Sequence, residues 1–166
     1  MKQFRLSVIC LLILGLAVLA NAQEKKGTEK KGMMMEIPKD RSMAMSKYDF
    51  NQTVSAIKKA IEDQDLMILR EIDHQAMLKM VGVETKGMLT VEFFHPRYGK
   101  VIRENNRMAG IEPPLKIVIM EQDDGKVGIQ WRKPSAIFGA YKGLEKLGAD
   151  LDKVCDDIAA PCAMKM

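Results

Sequence analysis

Five stretches of the chain have patterns that are typical of strands, either apolar residues at every second position or a short apolar run. The first pattern predicts strands at residues 43–48, 66–72 and 89–93, and the second predicts strands at residues 115–120 and 127–131. Asp123, Asp124 and Gly125 separate the last two stretches, and this combination is typical of a tight hairpin turn. We therefore expect the last two strands to form an antiparallel pair at the centre of a sheet.

Apolar residues at helical spacing predict two long helices, one after the first strand and one near the end of the chain. Asn51 is the expected N-cap of the first, which ends near residue 63 and has an apolar stripe of Val54, Ile57 and Ile61. The second covers residues 143–159, and its apolar side contains Leu144, Leu147, Leu151, Val154 and Ile158.

Two shorter helical segments are predicted between the strands. Asp73 is a suitable N-cap for a helix over residues 74–81, and Gly82 suits the left-handed residue that often ends a helix. A helical turn is expected within residues 100–109. The side chains expected to face inward from these segments are Ala76, Met77, Met80, Val81, Val101, Ile102 and Met108. Several strands, few β-α-β units and a long final helix favour the α+β class.

The start of the chain, residues 1–22, follows the pattern of a secretory signal peptide. A basic start precedes an uncharged apolar run at residues 6–19, and Ala20 and Ala22 supply the small residues that signal peptidase reads. The run is shorter than the roughly 20 apolar residues that span a membrane. We expect cleavage before Gln23, and a periplasmic or secreted mature protein without a membrane span. The alternative is an uncleaved membrane anchor.

The mature chain divides into a linker, one domain and a short tail. Residues 23–42 are charged and have too little apolar surface to become ordered, so we predict a disordered linker. The α+β domain covers residues 43–159, and residues 160–166 form the tail. The full chain has 26 Lys and Arg against 22 Asp and Glu, and two of the basic residues lie in the signal. This near-neutral balance gives no reason to expect nucleic acid as a partner.

Two cysteines, Cys155 and Cys162, remain once Cys10 leaves with the signal. Export makes a disulfide chemically feasible. Pro161 cannot continue a helix and lets the chain fold back between them. We expect a Cys155–Cys162 disulfide, and the alternative is a pair of free thiols near the chain end.

Five short stretches stand in a characteristic order within residues 43–159. They are Ser46-Lys47-Tyr48-Asp49-Phe50, Ile72-Asp73-His74, Phe93-Phe94-His95-Pro96, Pro113-Pro114-Leu115-Lys116-Ile117 and Asp123-Asp124-Gly125. In this order the chain resembles the bacterial family known as domain of unknown function 302. It departs from the family pattern at Phe94-His95-Pro96, where glycine, asparagine and proline are usual, and at Pro113, where leucine is more usual.

The resemblance implies a fold, a partner and no established activity. The implied fold is a single antiparallel sheet packed by helices in the order β-α-β-β-β-β-α, similar to the fold of the TATA-binding protein. The implied partner is a second copy of the chain in a homodimer.

Catalytic motifs give little support to an enzyme. The chain has no G-x-S-x-G nucleophile motif and no glycine-rich phosphate loop. His74, beside Asp73 at a helix start, could bind a ligand, but a capping or packing histidine is the favoured alternative. His95 precedes Pro96 at a strand end, where an exposed loop residue is the favoured alternative.

Methionine is unusually frequent, with 14 residues in the full chain. Thioethers are soft ligands that suit Cu(I), and the candidate metal ligands outside the predicted core are Met33, Met34, Met35, Met43 and Met45. Methionine is also a flexible filler of hydrophobic cores. That second interpretation fits Met67, Met77, Met80, Met88, Met108 and Met120.

Two hypotheses for the function follow from these patterns. The first is an exported, non-enzymatic binding domain for an unknown small ligand or metal, and in its sharper form it handles Cu(I) through methionines assisted by His74 or His95. The rival hypothesis is an enzyme with a small-molecule pocket near His74, in which Arg70 or Lys116 holds an anion. Histidines that converge in one concave site would favour the rival, whereas separated histidines and clustered methionines would favour metal handling.

Overall fold

A computed structural model describes residues 37–164 of the chain. The predicted signal peptide, most of the predicted linker and three of the candidate metal ligands, Met33, Met34 and Met35, lie outside the described residues. Within the described residues, no helix is both long enough and apolar enough to cross a membrane.

The α+β fold with a single antiparallel sheet is confirmed. The five strands are β1 (Arg41–Ser46), β2 (Met67–Asp73), β3 (Met88–Phe94), β4 (Leu115–Glu121) and β5 (Val127–Arg132). They lie in the order β1-β5-β4-β3-β2, and every neighbouring pair is antiparallel. The β4–β5 hairpin is central, as expected, and its turn is completed by Gly125 at a φ of +79°.

The helices are α1 (Phe50–Asp63), α2 (His74–Lys79), α3 (Pro96–Asn105), α4 (Pro134–Phe138) and α5 (Glu145–Ala159), with a 3-10 helix at Arg107–Ile111. Helix α4 was not among the predicted helices, because proline more often ends an element than begins one. Pro134 instead occupies the first turn of this helix, where its missing N–H costs no hydrogen bond.

Two helix starts illustrate how local sequence determines an element boundary. Asp73 caps α2 as predicted, since its Oδ1 accepts a hydrogen bond from the Ala76 amide at 2.9 Å. The predicted N-cap of α1 was wrong by two residues. Asp49, rather than Asn51, caps this helix, and its Oδ1 accepts from the Gln52 amide at 2.8 Å. Gly82 follows α2 with a φ of +77°, as its predicted role at the helix end requires.

One face of the sheet carries the hydrophobic core, and α1 and α5 pack against it. The fully buried side chains include Ile57 and Ile61 of α1, Leu151 and Ile158 of α5, and the strand residues Val91, Phe93, Ile117, Ile119, Val127 and Ile129. These strand residues occupy alternate positions, so their neighbours in sequence project from the opposite face. We call that opposite side the outer face.

The inward-facing side chains predicted for the short segments were partly wrong. Met77, Met80 and Val81 are exposed, with Met80 at 86%, and Ala76 is exposed as well. Met108 is 78% exposed, whereas Ile102 is buried as expected. Helix α2 spans only six residues and has no buried residue.

Cys155 and Cys162 are free thiols in the structure, so the expected disulfide is not formed there. Both side chains are almost fully buried and belong to the hydrophobic core. They pack as small apolar residues, Cys155 from α5 and Cys162 from the turn that follows it.

Candidate functional site

His74 is the first residue of α2 and is anchored to the sheet. Its Nε2 lies 2.7 Å from Oγ1 of Thr90, a buried residue on the outer face of β3. The contact holds the imidazole half-buried at the end of the sheet where β3 begins. This geometry accounts for the packing role that the sequence favoured for His74.

His95 is the N-cap of α3, in contrast to the exposed loop residue that was favoured. Its Nδ1 accepts a hydrogen bond from the Arg97 amide at 3.0 Å, and its Nε2 lies 3.9 Å from Oδ2 of Asp65. The Arg97 guanidinium binds the same carboxylate at 2.6 Å. His95 therefore belongs to a capping cluster at the end of β3.

The two histidines lie at opposite ends of the β2–β3 pair. Met67 lies opposite Phe94, next to His95, and Asp73, next to His74, lies opposite Leu89. Six residues of strand separate these pairs, which corresponds to roughly 20 Å. The histidines therefore do not share a site.

Arg70 and Lys116 flank one carboxylate on the outer face. Glu92 of β3 lies opposite Arg70 of β2 and opposite Lys116 of β4. Lys116 Nζ is 3.2 Å from Glu92 Oε1. Arg70 is on β2, which is an edge strand of the sheet.

Lys116 also lines a pocket of about 380 Å³. The pocket lies where β1 and β4 begin and β5 ends, and Arg41 and Arg132 contribute to the same lining. Neither histidine lines it, and neither does Arg70. The residues that the sequence grouped around His74 are therefore distributed over both ends of the sheet.

Met43 and Met45 of β1 project from the outer face, where two further methionines join them. Met45 lies opposite Gly128, Gly128 lies opposite Met120, and Met120 lies opposite Met88. The assignment of Met88 and Met120 to the core was wrong. They alternate with the core residues Leu89, Val91, Ile117 and Ile119, and this alternation was the available signal. We call Met43, Met45, Met88 and Met120 the methionine patch.

Gly128 provides the space that the methionine patch surrounds. A Cβ atom at this position would lie 3.2 Å from Cε of Met43 and 3.6 Å from Nε2 of Gln122. The Gln122 amide lies within 3.9 Å of Sδ of Met45 and donates a weak hydrogen bond to it. His74 is next to the patch, because it follows Asp73 at the end of the sheet where Met88 lies.

The side chains that most often bind metals in proteins show no comparable grouping in this part of the chain. Within residues 37–164, no cluster of three or more His, Cys, Asp or Glu side chains could hold a metal ion.

Comparison with known proteins gives a family and a structural neighbour. The profile of the family described as Domain of unknown function DUF302 matches residues 42–160. The crystal structure of an uncharacterised conserved DUF302 protein from Bacillus stearothermophilus is similar in fold, with a TM-score of 0.68 and 20% sequence identity. The similarity covers 75% of this chain and 98% of that chain. No curated protein matches the chain.

Proposed function

The chain belongs to the family described as Domain of unknown function DUF302, and from this premise we propose that it is an exported, non-enzymatic binding domain that handles Cu(I) on the outer face of its sheet. The observation that carries the proposal is the row of four methionines on the outer face, in which Met45 and Met120 lie on either side of Gly128 and Met88 lies opposite Met120. The ligands that we propose are Met43 and Met45, as the sequence suggested, joined by Met88 and Met120.

Thioether chemistry agrees with an exported copper-binding protein. Neutral thioether sulfurs bind soft cations such as Cu(I) and discriminate against the hard cations Mg²⁺ and Ca²⁺. Thioethers carry no proton to displace at physiological pH, so a site made of them keeps its ligands when carboxylates or imidazoles would be protonated. A methionine site therefore needs no neighbouring acid or base to prepare it.

The spacing of the strands allows the methionine side chains beside Gly128 to converge. Neighbouring strands lie about 4.8 Å apart, so Met45 and Met120, on either side of Gly128, have Cα atoms roughly 10 Å apart. The flexible methionine side chains can bridge this distance because Gly128 places no side chain between them. Met43 already extends its methyl group over this glycine.

The exposure of the patch argues against an ordinary core role. Met43 is 36% exposed, and the other three members of the patch are half-buried. A side chain needed only to fill the core would face α1 and α5 on the other side of the sheet. The patch instead presents polarisable sulfur at an accessible surface.

His74 is the histidine suited to assist, and His95 is not. The bond from His74 to Thr90 holds its ring beside the Met88 end of the patch. His95 lies at the far end of the strands, in a capping cluster with Asp65 and Arg97. An imidazole nitrogen is compatible with Cu(I) and would complete a site that is otherwise made of sulfur.

The rival hypothesis of an enzyme near His74 has less support. It requires both histidines, or a histidine and an anion-binding cation, in one concave site. His74 and His95 are separated, and the pocket that Lys116 lines contains neither of them.

Export and dimerisation remain part of the proposal. The signal-like start supports export, and resemblance to the family supports a homodimer. A homodimer would give a mass of about twice that of the mature chain in light scattering after gel filtration.

The proposal is tested by anaerobic Cu(I) titration of the mature protein against a competing chelator of known affinity. We compare wild type with the pairs Met43→Leu/Met45→Leu and Met88→Leu/Met120→Leu, because Leu preserves apolar bulk and removes the sulfur. The matched control is Met80→Leu/Met108→Leu, whose side chains are exposed but off the patch. Each patch pair should weaken Cu(I) binding by at least about tenfold, while the control pair binds like wild type.

A fourth variant separates the patch from the candidate ligands outside the described residues. Met33, Met34 and Met35 are replaced together by Leu, and wild-type affinity is expected. Equal Cu(I) affinity in wild type and both patch pairs would contradict the proposal. Loss of binding in the Met33–Met35 variant alone would move the site away from the sheet.

A further inference from the structure

The pocket where β1 and β4 begin and β5 ends combines cations with an apolar wall. Its cations are Arg41 of β1, Arg132 of β5 and Lys116 of β4. Its apolar wall includes Trp131, Pro114 and Ile137. We call it the cationic pocket.

We propose that the cationic pocket binds a small organic carboxylate whose apolar body lies against Trp131. The pocket adjoins the methionine patch, because Gln130 lines the pocket and lies opposite Met43. The two proposed sites nevertheless use different groups, cations and an apolar wall for the carboxylate and thioethers for Cu(I). A protein that binds both ligands would hold them at separate places on one sheet.

The register of β1 and β5 is the first argument for an anionic ligand. Arg41 and Arg132 lie directly opposite each other. Like charges in such cross-strand pairs destabilise a sheet. Lys116 lines the same pocket and adds a third positive charge. An anion between these side chains would relieve the repulsion that the sheet otherwise maintains.

Two of the three cations pair with carboxylates that do not line the pocket. Asp40 is 3.2 Å from Nε of Arg132, and Glu92 is 3.2 Å from Nζ of Lys116. Both cations remain more than half exposed, so these pairs are weak and can exchange partners. Among the described residues, Arg41 forms no ion pair.

Glu112 is the acidic side chain of the lining, and it is already engaged. It accepts a hydrogen bond from the Tyr141 hydroxyl, and this bond raises the pKa of Tyr141. Among the described residues, Glu112 forms this hydrogen bond and no ion pair with Arg41, so the Arg41 guanidinium is available to a ligand. A guanidinium can bind a carboxylate through two parallel hydrogen bonds, which gives direction as well as charge.

The size and the wall of the pocket indicate an organic ligand. A volume of about 380 Å³ is within the range of small-molecule sites and exceeds what a bare inorganic anion needs. Trp131 and Ile137 offer an apolar surface that phosphate or chloride would not use. A carboxylate with an aromatic or short aliphatic body satisfies both parts of the pocket.

The sole tryptophan of the chain makes this inference directly measurable. Because Trp131 lines the pocket, its fluorescence should report occupancy. We titrate the mature protein with 3-phenylpropionate, with its neutral amide 3-phenylpropanamide, and with inorganic phosphate at constant ionic strength. The carboxylate should give a saturable change, with the amide and phosphate each binding at least about tenfold more weakly.

Two variants and a control connect this signal to the pocket. Arg41→Gln and Lys116→Gln should each weaken binding of 3-phenylpropionate by at least about fivefold. Lys146→Gln, on the exposed surface of α5, should bind like wild type. Without ligand, Arg41→Gln should have a melting temperature at or above that of wild type, because it removes the repulsion across β1 and β5. The melting temperature also shows that Arg41→Gln is folded, so that weaker binding by this variant can be assigned to the lost cation.

Three results would overturn the inference. The first is no saturable fluorescence change with 3-phenylpropionate. The second is equal affinity for the carboxylate and its amide, which would show that the cations are not used. The third is equal affinity for phosphate and for 3-phenylpropionate, which would show that the apolar wall does not contribute to binding.

Discussion

The imidazole of His74 and the hydroxyl of Thr90 lie 2.7 Å apart and join the first turn of α2 to the outer face of β3. Helix α2 has no buried residue of its own, so it gains little from apolar packing. Thr90 is 6% exposed and lies between Ile72 of β2 and Val118 of β4. This hydrogen bond is therefore a principal link between α2 and the sheet.

Replacing Thr90 by valine should loosen α2. Valine preserves the shape of the side chain and leaves the half-buried His74 nitrogen without its partner, which should lower the free energy of unfolding by about 1–2 kcal/mol. Urea denaturation measures the change. Exposed Thr85→Val is the control and should shift stability by less than about 0.5 kcal/mol. Equal stability of Thr90→Val and wild type would show that the hydrogen bond is not stabilising.

Gly148 determines how closely α4 and α5 approach. A Cβ atom at this position would lie 2.8 Å from Cα of Ser135 and 3.1 Å from the carbonyl oxygen of Pro134. Because these are backbone atoms, Gly148→Ala should force the helices apart and lower the free energy of unfolding by about 1–3 kcal/mol. Gly110→Ala is the matched control, since a Cβ there meets nothing within 4 Å. Thermal unfolding that is unchanged in Gly148→Ala would contradict this packing.

Both cysteines should be present as unreactive thiols in the folded protein. Burial raises the pKa of the Cys155 thiol to about 12 and also raises the pKa of Cys162, so neither forms much thiolate at neutral pH. A thiol reagent should label the native protein slowly and should label two thiols after unfolding without reductant. Blocked thiols in that unfolded sample would instead support the disulfide that the sequence suggested.

The same burial should make the fold sensitive to alkaline pH. The pKa of Cys155 rises from 9.0 to about 12 on folding, so the folded state holds this proton more tightly than the unfolded state. The contribution of this thiol to the free energy of unfolding should therefore be at its full value below about pH 9. It should be lost as the pH rises towards about 12, which lowers the free energy of unfolding by up to about 4 kcal/mol.

Denaturation midpoints at about pH 8 and about pH 11 test this dependence. The difference between the two should be smaller in Cys155→Ala than in wild type. Cys155→Ala should still lose some stability at alkaline pH, because the pKa values of Cys162 and Tyr141 are also raised. An identical pH dependence in the variant would exclude Cys155 as a cause.

The mature protein should begin at Gln23 or within a residue or two of it. Ala20 and Ala22 precede this position in the pattern that signal peptidase recognises. The intact mass of protein recovered from the periplasm or medium measures the cleavage site. Recovery of the full-length chain in a membrane fraction would indicate the uncleaved anchor instead.

Local patterns in the sequence were sufficient for most elements. Alternation and short apolar runs located all five strands, Asp123 to Gly125 identified the central hairpin, and Asp73 marked the start of α2. These features depend on residues within a few positions of one another, so their physical causes are visible in a short window. Boundaries were less accurate where two cap residues compete, as with Asp49 and Asn51 at α1.

The candidate sites depended on the tertiary structure, because alternation shows which residues share a face but not which face is covered. Met88 and Met120 have the apolar character of core residues, and only the packing of α1 and α5 on the other side leaves them on the outer face. Pairing of β1 with β5, more than 80 residues away in sequence, brings Met45 to Gly128 and Arg41 to Arg132. The order of the strands likewise separates His74 from His95. The sequence by itself determined the strands, the long helices and the family resemblance, whereas non-local strand pairing decided which side chains meet.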